Sequence, residues 1–564
     1  MKKVFALFMA ALPMLAMAQK SLTVKLDSAG KLATQIAEDQ RFKIADLTIS
    51  GPMDGADLKL LQQIVTRTKT DKKNPDECLV NAVDLSGATI IDSNVKGGLK
   101  TQADALPAGL FAGAKNLTKV VLPSSLKAIG KEAFQNCESL PAITIPASVK
   151  EIANEAFEGC QSLTAMQLPD GLTAIAPQLF NGCKALKSVN IPKGVKVIGG
   201  SAFKNCKSLS SILLPSSVDE IETAAFYQCD DLKSIDMASV SKVGASAFTD
   251  CKSLKSVTLN KISSLGTIAF ANCTSLEKVS MAGSLTDVSM AAFKGCSNLE
   301  SVVLPNSVKE ISTRAFENCK SLADINWPSS LTKIKDYAFQ DCASLKTVDL
   351  PSTFKDLEDH AFELCSSLES VTFNSPIGEI ETYAFKGCSN LRKVVLPNTV
   401  KRIGRDAFCG CTLLSEINWP SQLKTIEDAA FEKCASLTTL DFANGLKSIG
   451  GDAFKGCIQV TTATLPATIK EIGGSAFQEC TAMQTITIGT ATPPSISGDT
   501  FKKTPATILI PKGSKAIYAA DKKWSTVSGV KEDKETIYDI ISTTHYRCAG
   551  HRYLCRHQEE SSRQ

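Results

Sequence analysis

Ala133-Phe134-Gln135-Asn136-Cys137-Glu138-Ser139-Leu140-Pro141-Ala142-Ile143-Thr144-Ile145-Pro146-Ala147-Ser148-Val149-Lys150-Glu151-Ile152 is one unit of the pattern that decides this fold. Its Phe-x-x-Cys core occurs sixteen times, from Phe134/Cys137 to Phe477/Cys480. The step is 23 residues, shortened to 22 from Phe226 to Phe248 and from Phe248 to Phe270. A fixed period of this size means a solenoid, because one such coil cannot bury its apolar face until neighbours stack on it.

Within the unit, Ile143 and Ile145 alternate with polar residues, which predicts a short strand with both facing inward. Proline follows that strand at eleven coils, among them Pro123, Pro169, Pro215, Pro305, Pro397 and Pro466. Lacking an N–H, it ends the strand and turns the chain. Val149 and Ile152 supply a second apolar pair, and Ala133-Phe134 opens a helical turn on the opposite side. The residue before each repeated Cys is Asn, Gly or Asp in twelve of sixteen copies, the types that tolerate a left-handed backbone. Gln228, Leu364, Lys433 and Glu479 break that rule, so a strained or different conformation is expected there. The two short steps fall on coils without the proline and predict a tighter corner, not a domain boundary.

The Cys-x-x-Leu-x-x-Val-x-Leu-Pro-x-x-Val-x-x-Ile-x-x-x-Ala-Phe unit resembles the leucine-rich repeat of the BspA-like family of bacterial surface proteins. The resemblance implies an exported, non-enzymatic binding protein, often an adhesin for host or bacterial surface proteins. With it the chain divides into a signal peptide at 1–18, an N-terminal cap with diverged coils at 19–104, a repeat array of about 17–18 coils at 105–510, a C-terminal cap at 511–542 and a disordered tail at 543–564.

The leader reading rests on Lys2-Lys3, an apolar stretch from Val4 to Ala16, and Ala16-Met17-Ala18 before Gln19, which has the A-x-A form of a cleavage site. No later segment is long and apolar enough to span a membrane. The formal charge of +4 comes from the leader and the Arg-rich tail and leaves the body neutral, so nucleic acid is excluded as a partner. The tail carries Cys548-x-x-His551-x-x-x-Cys555-x-His557, a donor set suited to zinc at a spacing that matches no common finger. No metal or cofactor is assigned. The sixteen repeated thiols are read as a ladder of small buried hydrophobes, with a disulfide framework as the alternative open to an exported protein. Cys409, out of register, is the thiol expected to react.

No catalytic constellation emerges. His360 is the only histidine in the array and is read as a solvated outer residue. Binding is expected on the concave strand face, at positions eight and ten residues after each Phe. Half of these 32 positions are Ser or Thr, which strand propensity alone explains, so the departures carry the information. Candidate binding residues are Asn190, Asp236, Asn326, Asp349, Asn418 and Asp441. Trp327 and Trp419 join them, four repeats apart, each in Ile-Asn-Trp-Pro, as oversized core residues or as aromatic platforms. This face suits an extracellular or surface macromolecule, a protein before a glycan. Glycan binding, or a structural spacer of roughly 80–90 Å at about 4.8 Å per coil, are the alternatives.

Overall fold

The computed structural model describes residues 20–41, 43–66 and 80–533. The leader, Cys78 and the Cys/His tail lie outside them. The chain winds into a parallel β-solenoid of about 22 turns in which like positions stack on like. One face carries parallel strands in a succession of short sheets, the first running from Lys20–Lys25 through Ile44–Met53 and Ala82–Ile90 to Lys119–Val121 and the last ending at Val530–Glu532; together they are called the first sheet. A second, made of two-residue strands such as Glu151–Ile152, Val197–Ile198 and Arg402–Ile403, runs beside it. Register is strict: Val197 pairs with Ala174 on one side and Glu220 on the other, each one repeat away. The first sheet crosses the expected cap boundary without a break, since Ala82–Asp84 pair with Lys119–Val121.

The third side holds no strand and, within the repeats, no helix. Two left-handed residues flank each Phe, two before and two after it, and they forbid a continuous helical turn. Main-chain donors there alternate. Phe157 N donates to Leu179 O of the next coil (3.1 Å) and Gly159 N to Asn181 O (2.7 Å), while Glu158 N and Cys160 N close three-residue turns on Glu155 O and Phe157 O. Gln228, Leu364, Lys433 and Glu479 take the same left-handed conformation as the glycines, at φ of 57°, 61°, 61° and 62°. Each is strained by about 1–2 kcal/mol, and its N–H makes the same inter-coil bond, as Leu364 N does to Lys386 O at 2.7 Å. The left-handed position before Phe escapes a sequence reading because its occupants, including Glu132, Ile268, Arg314 and Tyr337, share no type.

Inside, Phe rings stack in one unbroken column from Phe111 to Phe501, with centroids 5.0–6.0 Å apart. That spacing is the offset-parallel arrangement aromatic rings prefer. Beside it runs the thiol column. Every register Cys Sγ donates to the carbonyl of the Phe one coil earlier, at 3.1–3.2 Å. That carbonyl also accepts the N–H of its own coil's Cys, so both lone pairs are used. A small apolar side chain could fill the space but could not make this bond, which explains Cys at this position.

The first 22-residue coil keeps a two-residue strand, Ser234–Ile235, while the strand of the second lengthens to Ser256–Ile262 and that of the next coil to Lys278–Gly283, and the ladder slips between Leu259 and Ile262. Gly283 is required there: at φ 131° a Cβ would stand 2.4 Å from Ile262 O. The ends are closed by helices. At the N-terminal end, Asp57 of the helix Gly55–Thr66 is buried, and its carboxylate accepts from Gly30 N (2.7 Å), Leu32 N (2.9 Å) and Asp54 N (3.2 Å). At the C-terminal end, Trp524 Nε1 donates to Pro494 O (2.7 Å), Tyr518 Oη to Thr490 O (2.8 Å), and the two rings meet edge to face.

All the described cysteines are free thiols, the register ones are buried, and burial pushes thiols such as those of Cys160 and Cys480 up to about 12. Treating the folded chain with iodoacetamide at pH 8 should therefore leave these sixteen unmodified until denaturant is added. Peptide mapping that finds Cys206 or Cys342 alkylated in the native chain would show the column open. A second expectation concerns acid. The Ser497 and Ser475 hydroxyls hold the Asp499 carboxyl below its ordinary value, and the main-chain N–H groups of Trp524 and Lys523 do the same for Asp521. Both contributions are present above the unfolded carboxylate value of about 4 and are lost as pH falls through the lower folded values. Acidification from about pH 5 to pH 3 should thus loosen this cap before the array. Trp524 fluorescence in a Trp327→Phe, Trp419→Phe background reads it, and a cap transition coincident with global unfolding would contradict it.

Candidate functional site

The in-register ladder turns each outward position of the first sheet into a straight column of exposed side chains, one per coil. The candidate residues fall in these columns without meeting in a pocket. Asn190, Asn326 and Asn418 have their amides committed to the main chain. The Asn190 Oδ1 accepts from Leu168 N (2.6 Å) and its Nδ2 donates to Leu168 O (3.0 Å). Asn326 clamps Leu304 the same way (2.7 and 2.9 Å), and Asn418 clamps Leu396 (2.7 and 2.7 Å). In each case the proline two residues after the Asn, Pro192, Pro328 or Pro420, has no N–H to give the clamped carbonyl, and the Asn side chain supplies the missing donor.

Asp236, Asp349 and Asp441 are exposed. Asp236 Oδ1 accepts from Ala238 N (3.0 Å), Asp349 Oδ1 from Asn374 Nδ2 (2.7 Å), and Asp441 Oδ1 from Thr464 Oγ1 (2.9 Å). Trp327 and Trp419 are half-buried. Trp327 lies edge-on to Phe339 (5.4 Å) and Phe362 (6.2 Å), Trp419 to Phe431 (5.3 Å), Phe442 (4.7 Å) and Phe454 (6.2 Å). Adjacent coils bring Asn326, Trp327 and Asp349 together, and four coils on the same trio returns as Asn418, Trp419 and Asp441.

That recurrence belongs to a longer repeat. The column reads Val303, Asn326, Asp349, Thr372 and then Val395, Asn418, Asp441, Thr464, a four-coil period written over the single coil. Its apolar members stand proud: Leu213, Val303 and Val395 are 78%, 53% and 42% exposed. Four coils at about 4.8 Å place successive members roughly 20 Å apart. The signal for this site was in the sequence, but only in the aligned column.

Charge separates the two sheets. Across the two outward columns of the first, one ion pair forms, Lys393–Glu416 at 3.4 Å. The second is laced by alternating signs: Lys333 bonds Asp356 (2.8 Å) and Glu358, Lys335 bonds Glu310 (2.8 Å), and Arg402 is held by Glu379, Glu381 and Glu427. Asp356 and Glu358 raise the Lys333 ammonium well above its ordinary value, so this lacing persists at any physiological pH. His360, expected to be solvated, is instead sandwiched. Its ring stacks at 4.4 Å on both Tyr337 and Tyr383, and its Nδ1 lies 2.8 Å from Glu363 Oε2. The left-handed backbone at these three positions aligns the rings. Cys409 is half-buried and pushed up to about 11 by burial and by Asp406 and Glu432, which disfavours the reactive thiolate. Among the described residues no group of His, Cys, Asp and Glu is placed to hold a metal ion, and no helix is long and apolar enough to cross a membrane.

Comparison with known proteins follows the geometry. The family model for BspA-type leucine-rich repeat regions matches in overlapping stretches, 104–233, 173–300, 220–325, 286–415 and 401–518. A leucine-rich repeat protein from Bacteroides ovatus is similar over 70% of this chain and 90% of its own, at 27% identity and a TM-score of 0.51. A leucine-rich cell surface protein from Faecalibacterium prausnitzii is 27% identical over 52% of this chain and 83% of its own, with a TM-score of 0.34. The pneumococcal vaccine antigen PcpA is 19% identical over 68% of this chain and 92% of its own, also at 0.34. No curated protein sequence matches significantly.

The clamps make a specific expectation. Asn418→Ala strips partners from the Leu396 N–H and carbonyl and should cost about 1–3 kcal/mol in urea unfolding. Asp441→Ala, one coil on, should stay within about 0.5 kcal/mol. Equal effects would contradict the structural role of the Asn column.

Proposed function

Because the chain belongs to the BspA-type leucine-rich repeat family, we propose that it is an exported cell-surface protein that binds another surface protein through its strand face, without catalysis. Family membership supports a protein-binding surface protein, and a leucine-rich repeat solenoid is typically a non-enzymatic scaffold. The basic, apolar, small-residue leader at 1–18 is the sequence feature that supports export. The observation that carries the choice of face is its exposed apolar column: Leu213, Val303 and Val395 rise from a Ser/Thr-rich surface that the ion-pair lacing leaves open. Isolated apolar side chains on a flat polar face are anchors of the kind that dominate protein interfaces.

The strand face is also mechanically suited to this role. Its outward side chains are held by a two-sided main-chain ladder, so a partner meets a surface that loses little entropy on binding. The adhesin reading predicts that Leu213→Glu, Val303→Glu, Val395→Glu together weaken binding to a panel of extracellular-matrix proteins and intact bacterial cells by at least about tenfold. Thermal unfolding should be unchanged, because all three side chains are exposed. Undiminished binding by a folded triple variant would exclude this face.

A further inference from the structure

On the second sheet, one column departs from the alternation of charge found beside it. Lys401, Lys424, Lys447 and Lys470 occupy the same position on four consecutive coils. Their main chains bond directly in series: Lys424 N donates to Lys401 O, Lys447 N to Lys424 O and Lys470 N to Lys447 O, each at 2.8 Å. All four side chains are exposed, and none has an ion-pair partner. The neighbouring Arg402 is fully engaged by Glu379, Glu381 and Glu427, and Arg405 by Asp428, so the nearby carboxylates are already taken. Glu471, at the far end, is the one acidic residue left in the strip.

Like charges stacked in register on a ladder repel, and this fold shows at Glu310, Lys333 and Asp356 how it places opposite charges instead. Four unpaired ammonium groups in a row therefore call for an external counter-charge. Beside them stand hydroxyls, Thr425 and Ser448, joined at 3.3 Å. At the end of the row lies a hollow of about 450 Å³ lined by Lys447, Lys470, Thr468, Thr490, Thr492 and Pro494. It offers two cations, the Thr492 hydroxyl and an apolar wall, the complement of an acidic sugar ring.

We propose that this column is a binding site for a linear acidic polysaccharide with one carboxylate per sugar, lying along the solenoid axis. The spacing decides between polyanions. The ammonium groups recur at the strand distance of about 4.8 Å, close to the length of one pyranose unit in an extended chain. The phosphates of an extended nucleic-acid strand are set apart by the longer sugar–phosphate repeat, so they do not keep step with the coils. The carboxylates that face the sheet pair with the lysines, the sugar hydroxyls meet Thr425 and Ser448, and the terminal ring sits in the hollow. The neutrality of the body concealed this site, because the compensating acids lie on other columns.

The test uses the full chain and oligogalacturonate of about ten residues, measured by calorimetry in 50 and 500 mM NaCl. Binding should appear at low salt and weaken at high salt by counterion release. Lys424→Gln/Lys447→Gln should reduce affinity at least about tenfold and lower the slope of log K against log salt by up to about two. Lys187→Gln/Lys233→Gln, an equal change of charge on the strand face, should leave both unchanged. Melting curves of the two double variants should match the parent, which separates loss of a site from loss of fold. Absence of binding at 50 mM NaCl, equal losses in the two variants, or equal affinity for single-stranded DNA of the same charge would each overturn the proposal. None of these outcomes touches the strand-face reading, which the apolar variants test separately.

Discussion

Every coil leaves main-chain donors and acceptors on all three of its sides that only the next coil can satisfy. Two sides meet this demand with parallel strands, and the third meets it with alternating bonds around the left-handed residues that bracket each Phe. A buried polar group left unpaired costs about 1–3 kcal/mol, so a coil out of register would lose several such groups at once. This is why the repeat holds its step so closely, and why the stack continues through the two 22-residue coils, with longer strands at Ser256–Ile262 and Lys278–Gly283.

The same demand explains residue choices that look idiosyncratic singly. Cysteine recurs because its thiol donates to a Phe carbonyl that the main chain serves only once. Asparagine appears before Ile-Pro or Trp-Pro where a proline has removed a rung, and its amide restores both halves of it. Leu364 and Lys433 show the limit of sequence preference: the stack imposes a left-handed backbone on types that avoid it, because the inter-coil bond and the buried Phe column beside it outweigh about 1–2 kcal/mol of strain.

Strict register also shapes the surfaces. One outward position becomes a column, so a choice that is local in sequence becomes a stripe in space. Alternating charges along a column give lacing, as around Lys333. A four-coil alternation gives spaced apolar anchors on the strand face. Four like charges give a basic rail at Lys401 to Lys470. The scaffold is indifferent to which of these is written on it, and that lets one fold carry several kinds of surface.

The solenoid, its period, the strand, the proline corner and the inward columns were legible in the sequence, because each follows from spacing and residue type along the chain. Most of the candidate residues were legible as departures within a column, but their roles were not: the Asn amides turn inward to the main chain, the Trp rings lean on Phe, and His360 stands between two tyrosines. Those outcomes depend on which residues one repeat away lie about 4.8 Å across the ladder. The left-handed position before Phe left no trace, since the stack selects its conformation and its side chain points out freely. The amino-acid order by itself determined that coils would stack and which side chains would be buried, through hydrophobic period and turn chemistry. Only the stacked structure decided which polar groups remain free for a partner, because hydrogen bonds and ion pairs here form between coils and not within them.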